Sequence, residues 1–154
     1  VHSVYCCIGT TIKKAGSQEN FRKIDFDIPS NLARICEKSG VTSFLVISSL
    51  GANADSSNFY LKTKGEMENA VALYKIPKIA FFRPSLLLGP RSETRYFESV
   101  MKVFLTILGP LMVGVFKKFK PISNVAVARA MIHVSYSSSN VKVYETDEIR
   151  WMGR

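Results

Sequence analysis

Apolar residues along this chain fall into two arrangements, short continuous runs and stripes at helical spacing. VHSVYCCI, residues 1–8, is rich in β-branched and aromatic types and ends at Gly9-Thr10-Thr11, as a strand would. The stretch TTIKKAGSQENFRK then reads as a polar, basic loop. From about Asp27 to Ser39, Ile28, Leu32, Ile35 and Cys36 recur at steps of three and four. That predicts a helix with Asp27 as cap, Pro29 in the first turn and Gly40 as the stop. VTSFLVISS is almost continuously apolar, the pattern of a parallel strand buried on both faces. A Gly/Asn/Asp/Ser loop follows, then a helix from about Phe59 to Leu73. After Pro77, KIAFF reads as a second buried strand closing at Arg83-Pro84. Glu93 to Leu108 reads as a helix broken by Gly109-Pro110. Ser123 to Ser135 is a further amphipathic helix with Val125, Ala128, Met131 and Ile132 inward, and VKVYE is a last strand. This alternation predicts an α/β fold, a mainly parallel sheet with helices on both faces, as one domain over residues 1–154.

Composition narrows the picture only a little. Hydrophobic residues make up 47% and charged residues 21%, ordinary for a globular protein. The net charge of +9 favours anionic partners such as nucleotides, and is equally compatible with a merely basic surface. Three cysteines, Cys6, Cys7 and Cys36, form no disulfide framework and lack zinc-site spacing. They read as buried small apolar side chains in a reducing compartment, which gives the expectation of a cytoplasmic protein. His2 and His133 stand far apart in sequence, so no metal site is expected. The run VFLTILGPLMVGVF, residues 103–116, is shorter than the roughly 20 residues a membrane-spanning helix needs. With KKFK behind it, residues 103–120 read as a core or protein-partner surface with a solvated basic end, ahead of membrane or nucleic-acid attachment.

The candidate chemistry lies in SSLGANADSSNFYLKTKGEME, residues 48–68. Tyr60 and Lys64 are four apart on a predicted helix and share a face. The other Tyr-x-x-x-Lys, Tyr74 to Lys78, has Pro77 inside it and cannot be helical. A phenol ionises near pH ~10, and an ammonium beside it stabilises the phenolate and brings it toward a useful range. Ser48 and Ser49 end a predicted buried strand, where α/β folds place ligand-contacting groups. A serine hydroxyl there could hold a carbonyl oxygen while a tyrosine supplies the proton. No side chain provides a hydride, so such chemistry implies a nicotinamide cofactor.

Strand, Ser-Ser, loop, Tyr-x-x-x-Lys on a helix, strand and Arg-Pro-Ser together resemble a short-chain dehydrogenase/reductase. CCIGTT followed by KKAGS resembles the strand-four region of its atypical, Tat-interacting oxidoreductase-like branch. SSLGANADSSNFYLKTKGEME resembles that branch's catalytic segment, and FFRPSLLLGPRSETR its loop after strand six. The resemblance is strong from residue 4 to 95 and weak beyond. It implies an NAD(P)-binding Rossmann-like fold with Tyr60 as acid/base and Lys64 as its modulator and a ribose contact. Ser49, in preference to Ser48, would orient the substrate carbonyl, with the alignment of that pair left open. Ile8, Gly9 and Thr10 would lie along the cofactor, Arg95 would reach its phosphates or nicotinamide side, and the Pro84-Ser85-Leu86 backbone would flank the nicotinamide. None of the nine glycines forms the Gly-x-Gly of a pyrophosphate-binding turn. The expectation is therefore that the N-terminal βαβαβ portion of the fold is absent from this sequence.

The implied function is an NAD(P)-dependent oxidoreductase acting on a carbonyl or alcohol, using NADP or NAD. The alternative is a dinucleotide-bound regulatory or interaction protein with little turnover. Other readings stand beside each assignment. Tyr60 and Lys64 could be a surface pair, the serines loop hydroxyls, Arg83 and Arg95 structural ion-pair partners, and Gly9-Thr10-Thr11 a plain turn.

Overall fold

Continuous apolar runs become the centre of a sheet, and their two-sidedness explains why they do not alternate. The computed structural model describes residues 1–88, 120–138 and 142–154. Four strands, β1 (Ser3–Cys6), β2 (Ser43–Ile47), β3 (Lys78–Arg83) and β6 (Lys142–Glu145), form a parallel sheet in the order β1-β2-β3-β6. Phe44 and Val46 of β2 face one side, with Ile79 and Phe81 of β3; Leu45 faces the other, with Ala80 and Phe82. Both faces are covered, so each of these side chains other than that of Ala80 contributes roughly 1.5–3 kcal/mol of burial.

The first face is covered by α3 (Ile28–Lys38) and α4 (Phe59–Ala72), which contribute Ala33, Cys36, Met67 and Val71. The second is covered by α5 (Asn124–Tyr136) and α6 (Thr146–Met152), through Val127, Ala130, Met131, Val134 and Ile149. A small parallel pair, β4 (Leu87–Leu88) and β5 (Ile122–Ser123), lies outside the main sheet. Lys78, at the start of β3, sends its buried ammonium to the end of α5. Its Nζ donates to Val134 O (3.1 Å), Ser135 O (3.0 Å) and Ser137 O. A cation there satisfies terminal carbonyls and complements the helix dipole.

Several expectations need correcting. The supposed loop before residue 24 contains two short helices, α1 (Ile12–Ala15) and α2 (Gln18–Arg22). Thr11 and Ser17 cap them through side-chain oxygens. Asp27 is no cap: it has helical angles, and a π-helical segment, Lys23–Asp27, joins α2 to α3 without a break. Consequently α3 buries Pro29, Ala33 and Cys36, while Ile28 and Ile35 face solvent. Gly40 does end the helix, at φ +65°, the left-handed region that glycine tolerates. On α5 the buried set is Val127, Ala130, Met131 and Val134, and Val125, Ala128 and Ile132 are exposed. That helix is apolar nearly all round, so periodicity could not fix its rotation. Cys6 and Cys36 are buried as expected, but Cys7 is exposed. The predicted helix from Glu93 to Leu108 lies outside the described residues. Among those described, no helix is long and apolar enough to cross a membrane.

Candidate functional site

The loop between β2 and α4 is shaped by its own polar residues. Asn53 Oδ1 accepts from Asp55 N–H at 2.9 Å, and Asn58 Oδ1 caps α4 by accepting from Leu61 N–H at 3.1 Å. The loop docks on the helix it starts, Asn53 N–H donating to Leu61 O at 3.1 Å. Gly65 allows this approach: a Cβ there would stand 2.2 Å from Ala54 N and 2.3 Å from the Asn53 carbonyl carbon.

On α4, Tyr60, Lys64 and Glu68 follow one another at four-residue spacing, and each is held by a different element. The half-buried Tyr60 ring tilts against Phe21 of α2, with centroids 5.6 Å apart. Lys64 is only 4% exposed, and its Nζ lies 2.6 Å from Asp25 Oδ1 in the π segment. Glu68 receives Arg83 from the end of β3 in a two-pronged contact, with Arg83 Nε donating to Oε1 at 2.9 Å. That hydrogen bond raises the Arg83 pKa further, against the opposing effect of burial. Arg83 is thus occupied as a structural partner of α4.

Ser48 continues the β2 pleat, its N–H donating to Phe82 O at 2.7 Å. Alternation puts its side chain on the face of Phe44 and Val46, the face covered by α4. The hydroxyl is buried and has no hydrogen-bond partner among the described residues. Ser49 is half-buried, and its hydroxyl donates to Leu50 O at 3.5 Å. Of the two serines, Ser48 is the one whose hydroxyl is left without a partner among the described residues.

The β1 end meets the same region. Ile8 and Gly9 are exposed, and the Thr10 N–H donates to Asp25 Oδ2 at 2.8 Å. A Cβ on Gly9 would come within 3.3 Å of Asp25 Oδ1 and 3.9 Å of Lys64 Nζ. Asp25, missed in the sequence, is the acid joining these two elements; its one sequence signal was Pro29, four residues on, which disturbs the helix there. Burial pushes the Cys6 and Cys7 thiols, just before this loop, above the ordinary thiol range. After β3, Pro84 O accepts from Leu50 N–H at 3.1 Å, tying the two strand ends together. The Ser85 N–H donates to Thr146 Oγ1 (3.0 Å), its hydroxyl donates to Lys120 O (2.6 Å), and Leu86 O accepts from Ile122 N–H (2.9 Å). Arg95 and residues 103–119 of the expected partner surface lie outside the described residues. Among the described residues no cluster of His, Cys, Asp and Glu could hold a metal ion.

No protein-family profile matches the chain. Protein FMP52, mitochondrial, of Debaryomyces hansenii is 34% identical over 137 residues, covering 88% of this chain and 59% of that protein. Protein HTATIP2 of Rattus norvegicus is 33% identical over 152 residues, covering 97% and 61%. The chain thus spans about three-fifths of the length of these relatives. Among solved structures, MoeE5 in complex with UDP-glucose and NAD superposes with a TM-score of 0.64 at 13% identity, covering 99% of this chain and 61% of that one. The human epimerase family protein SDR39U1 with NADPH gives 0.64 at 11% identity, covering 94% and 57%. At such identities the likeness is one of fold, and that fold is Rossmann-like. The cytoplasmic expectation is overturned by the relatives, several of which are named as mitochondrial proteins. Cysteine usage could not have distinguished the two compartments, since free thiols occur in both.

Proposed function

The chain belongs to the atypical branch of the short-chain dehydrogenase/reductase family, with FMP52 and HTATIP2, and from that premise we propose that it is a nicotinamide-dinucleotide oxidoreductase acting on a carbonyl or alcohol. The observation that carries this reading is the buried Lys64 ammonium one turn from Tyr60 on α4, with the orphaned Ser48 hydroxyl on the sheet face that this helix covers. The residues fit such a cofactor. Gly9 is exposed where β1 ends, the Lys64 ammonium close to it offers donors, and the orphaned Ser48 hydroxyl ends the neighbouring strand.

When bound, the dinucleotide supplies the hydride donor or acceptor. Tyr60 gives a proton to the carbonyl oxygen in reduction and takes it back in oxidation. Lys64 holds positive charge beside the phenol and has donors left for a ribose hydroxyl. Ser48 donates to the carbonyl oxygen from below, with Ser49 at the mouth of the loop. The nicotinamide would lie against Pro84-Ser85-Leu86, where Pro84 O, the Ser85 N–H and hydroxyl, and Leu86 O are engaged within the protein. Either NADP or NAD satisfies this arrangement.

Titrating NADPH and NADH into the full-length protein tests the proposal, and binding of neither would refute it. Tyr60→Phe is expected to lower turnover by about 10²–10⁴-fold while leaving cofactor affinity intact, the signature of lost proton transfer.

A further inference from the structure

The reaction just described leaves open how the loop after β3 is held in place. In open α/β sheets ligands bind beyond the carboxyl ends of the strands, and Pro84-Ser85-Leu86 leaves β3 at that end. The ladder between β3 and β6 stops at the Arg83–Glu145 pair. Pro84 follows, with no N–H to extend the ladder and a φ held at about −65°. The next donor, the Ser85 N–H, is met by a side chain instead. It donates to Thr146 Oγ1 at 3.0 Å, across 61 residues of sequence.

Thr146 directly follows β6, opens α6 and is fully buried. A hydroxyl at a helix start ordinarily serves that helix. Here Glu145 and Glu148 cap α6 reciprocally, which leaves the threonine oxygen to the loop. Packing alone explains the residue poorly, since valine has nearly the same shape and buries no polar group. What valine could not do is accept a hydrogen bond. The loop's other partners are main chain: Leu50 N–H on Pro84 O, Lys120 O under the Ser85 hydroxyl, and Ile122 N–H on Leu86 O. Of these partners Thr146 is the one that contributes a side chain. One turn further along α6, Arg150 donates to Lys120 O at 3.0 Å, so α6 grips the loop and the chain beside it.

We propose that Thr146 is a positioning residue for the nicotinamide. Its hydroxyl fixes the Ser85 peptide, and with it the Pro84-Ser85-Leu86 wall against which the ring lies. One side of the reacting geometry is then set from α6 and the other, Tyr60 and Lys64, from α4. A wall displaced by about an ångström spoils the placement of the ring and leaves the grip on the rest of the dinucleotide intact. The role toward the cofactor rests on the function proposed above; the anchoring of the Ser85 N–H does not.

The test compares Thr146→Val and Thr146→Ser with wild type, all as full-length protein. Valine keeps the shape and loses the acceptor, whereas serine keeps the acceptor. Two ligand pairs are titrated, NADPH with 2′-phospho-ADP-ribose and NADH with ADP-ribose; the second member of each lacks the nicotinamide. Thr146→Val is expected to weaken the dinucleotide that wild type binds by about tenfold, and its nicotinamide-free counterpart by less than about twofold. Thr146→Ser should bring the dinucleotide back to within about threefold of wild type. Exchange of the Ser85 amide, followed by NMR, should be slow in wild type and in Thr146→Ser and about tenfold faster in Thr146→Val. Leu45, in the middle of β2, should stay protected in all three. Equal weakening of both ligands, no weakening, no rescue by serine, or fast Ser85 exchange in wild type would each overturn the proposal. So would Leu45 exchange that rises with that of Ser85. If Thr146→Val does not fold, Thr146→Ala, which also lacks the hydroxyl and adds no bulk, carries the same expectations. A wild type that binds neither NADPH nor NADH refutes the functional reading and the cofactor role together, while Ser85 exchange still judges the anchoring. Binding in wild type without a selective loss in Thr146→Val refutes the positioning role alone.

Discussion

Replacing Gly65 by alanine sets two opposed effects against each other. Alanine is the better helix former by about 1 kcal/mol, so propensity alone would stabilise α4. The added methyl, however, would meet the backbone at 2.2 Å, where ordinary contact begins near 3.4 Å. The obstacle is main chain on the 53–54 loop, not the end of a flexible side chain, so helix and loop must separate by more than an ångström. Overpacking of this kind costs about 1–3 kcal/mol, and backbone on backbone belongs at the upper end. The net expectation is a loss of about 2 kcal/mol, read as a drop of roughly 4–8 °C in Tm. Tyr60 and Lys64 would move with the helix, and misplacement by an ångström costs about 100-fold in turnover. Urea denaturation followed by circular dichroism measures the first effect. Asn69→Ala, at an exposed position of the same helix, reports the propensity gain alone. A Gly65→Ala variant at least as stable as wild type would refute the reasoning, because it would mean the 53–54 loop yields freely.

Two further expectations follow from buried groups. Lys78→Met should cost about 2–4 kcal/mol, since charge-assisted bonds to the end of α5 are lost while the desolvation of the ammonium is recovered; thermal unfolding should show it at low and high salt alike, and a loss confined to low salt would contradict the buried geometry. Cys7, exposed yet with its thiol pushed up by partial burial, should alkylate with iodoacetamide more slowly than a free cysteine at neutral pH. Because a raised thiol pKa keeps the reactive thiolate scarce, its rate should go on climbing at alkaline pH where that of a free cysteine has levelled off, and labelling at pH 7 as fast as a free cysteine's would count against it.

The strands were legible because each buried run needs apolar residues on both faces, and β2 and β3 fall where VTSFLVISS and KIAFF place them. The helix α4 was legible because Asn58 and Pro77 bracket it. What escaped was whatever depends on a partner distant in sequence. The rotation of α5 is set by the sheet and by Lys78, not by its own nearly uniform apolar surface. Asp25 looked like one more charge in a basic stretch, and its meaning appears only with Lys64 and Thr10 beside it. Tyr60, Lys64 and the two serines were marked by local spacing, but only the fold shows that it is the Ser48 hydroxyl that lacks a partner among the described residues.

The three anchors along α4 bear on anyone who would move this chemistry elsewhere. A segment grafted as Tyr60-x-x-x-Lys64 onto another scaffold would carry the spacing and leave behind Phe21, Asp25 and Arg83, which come from before and after it in the chain. The short motif is therefore not portable by itself. The smallest transferable unit is the helix together with the π-helical turn and the strand end that hold it.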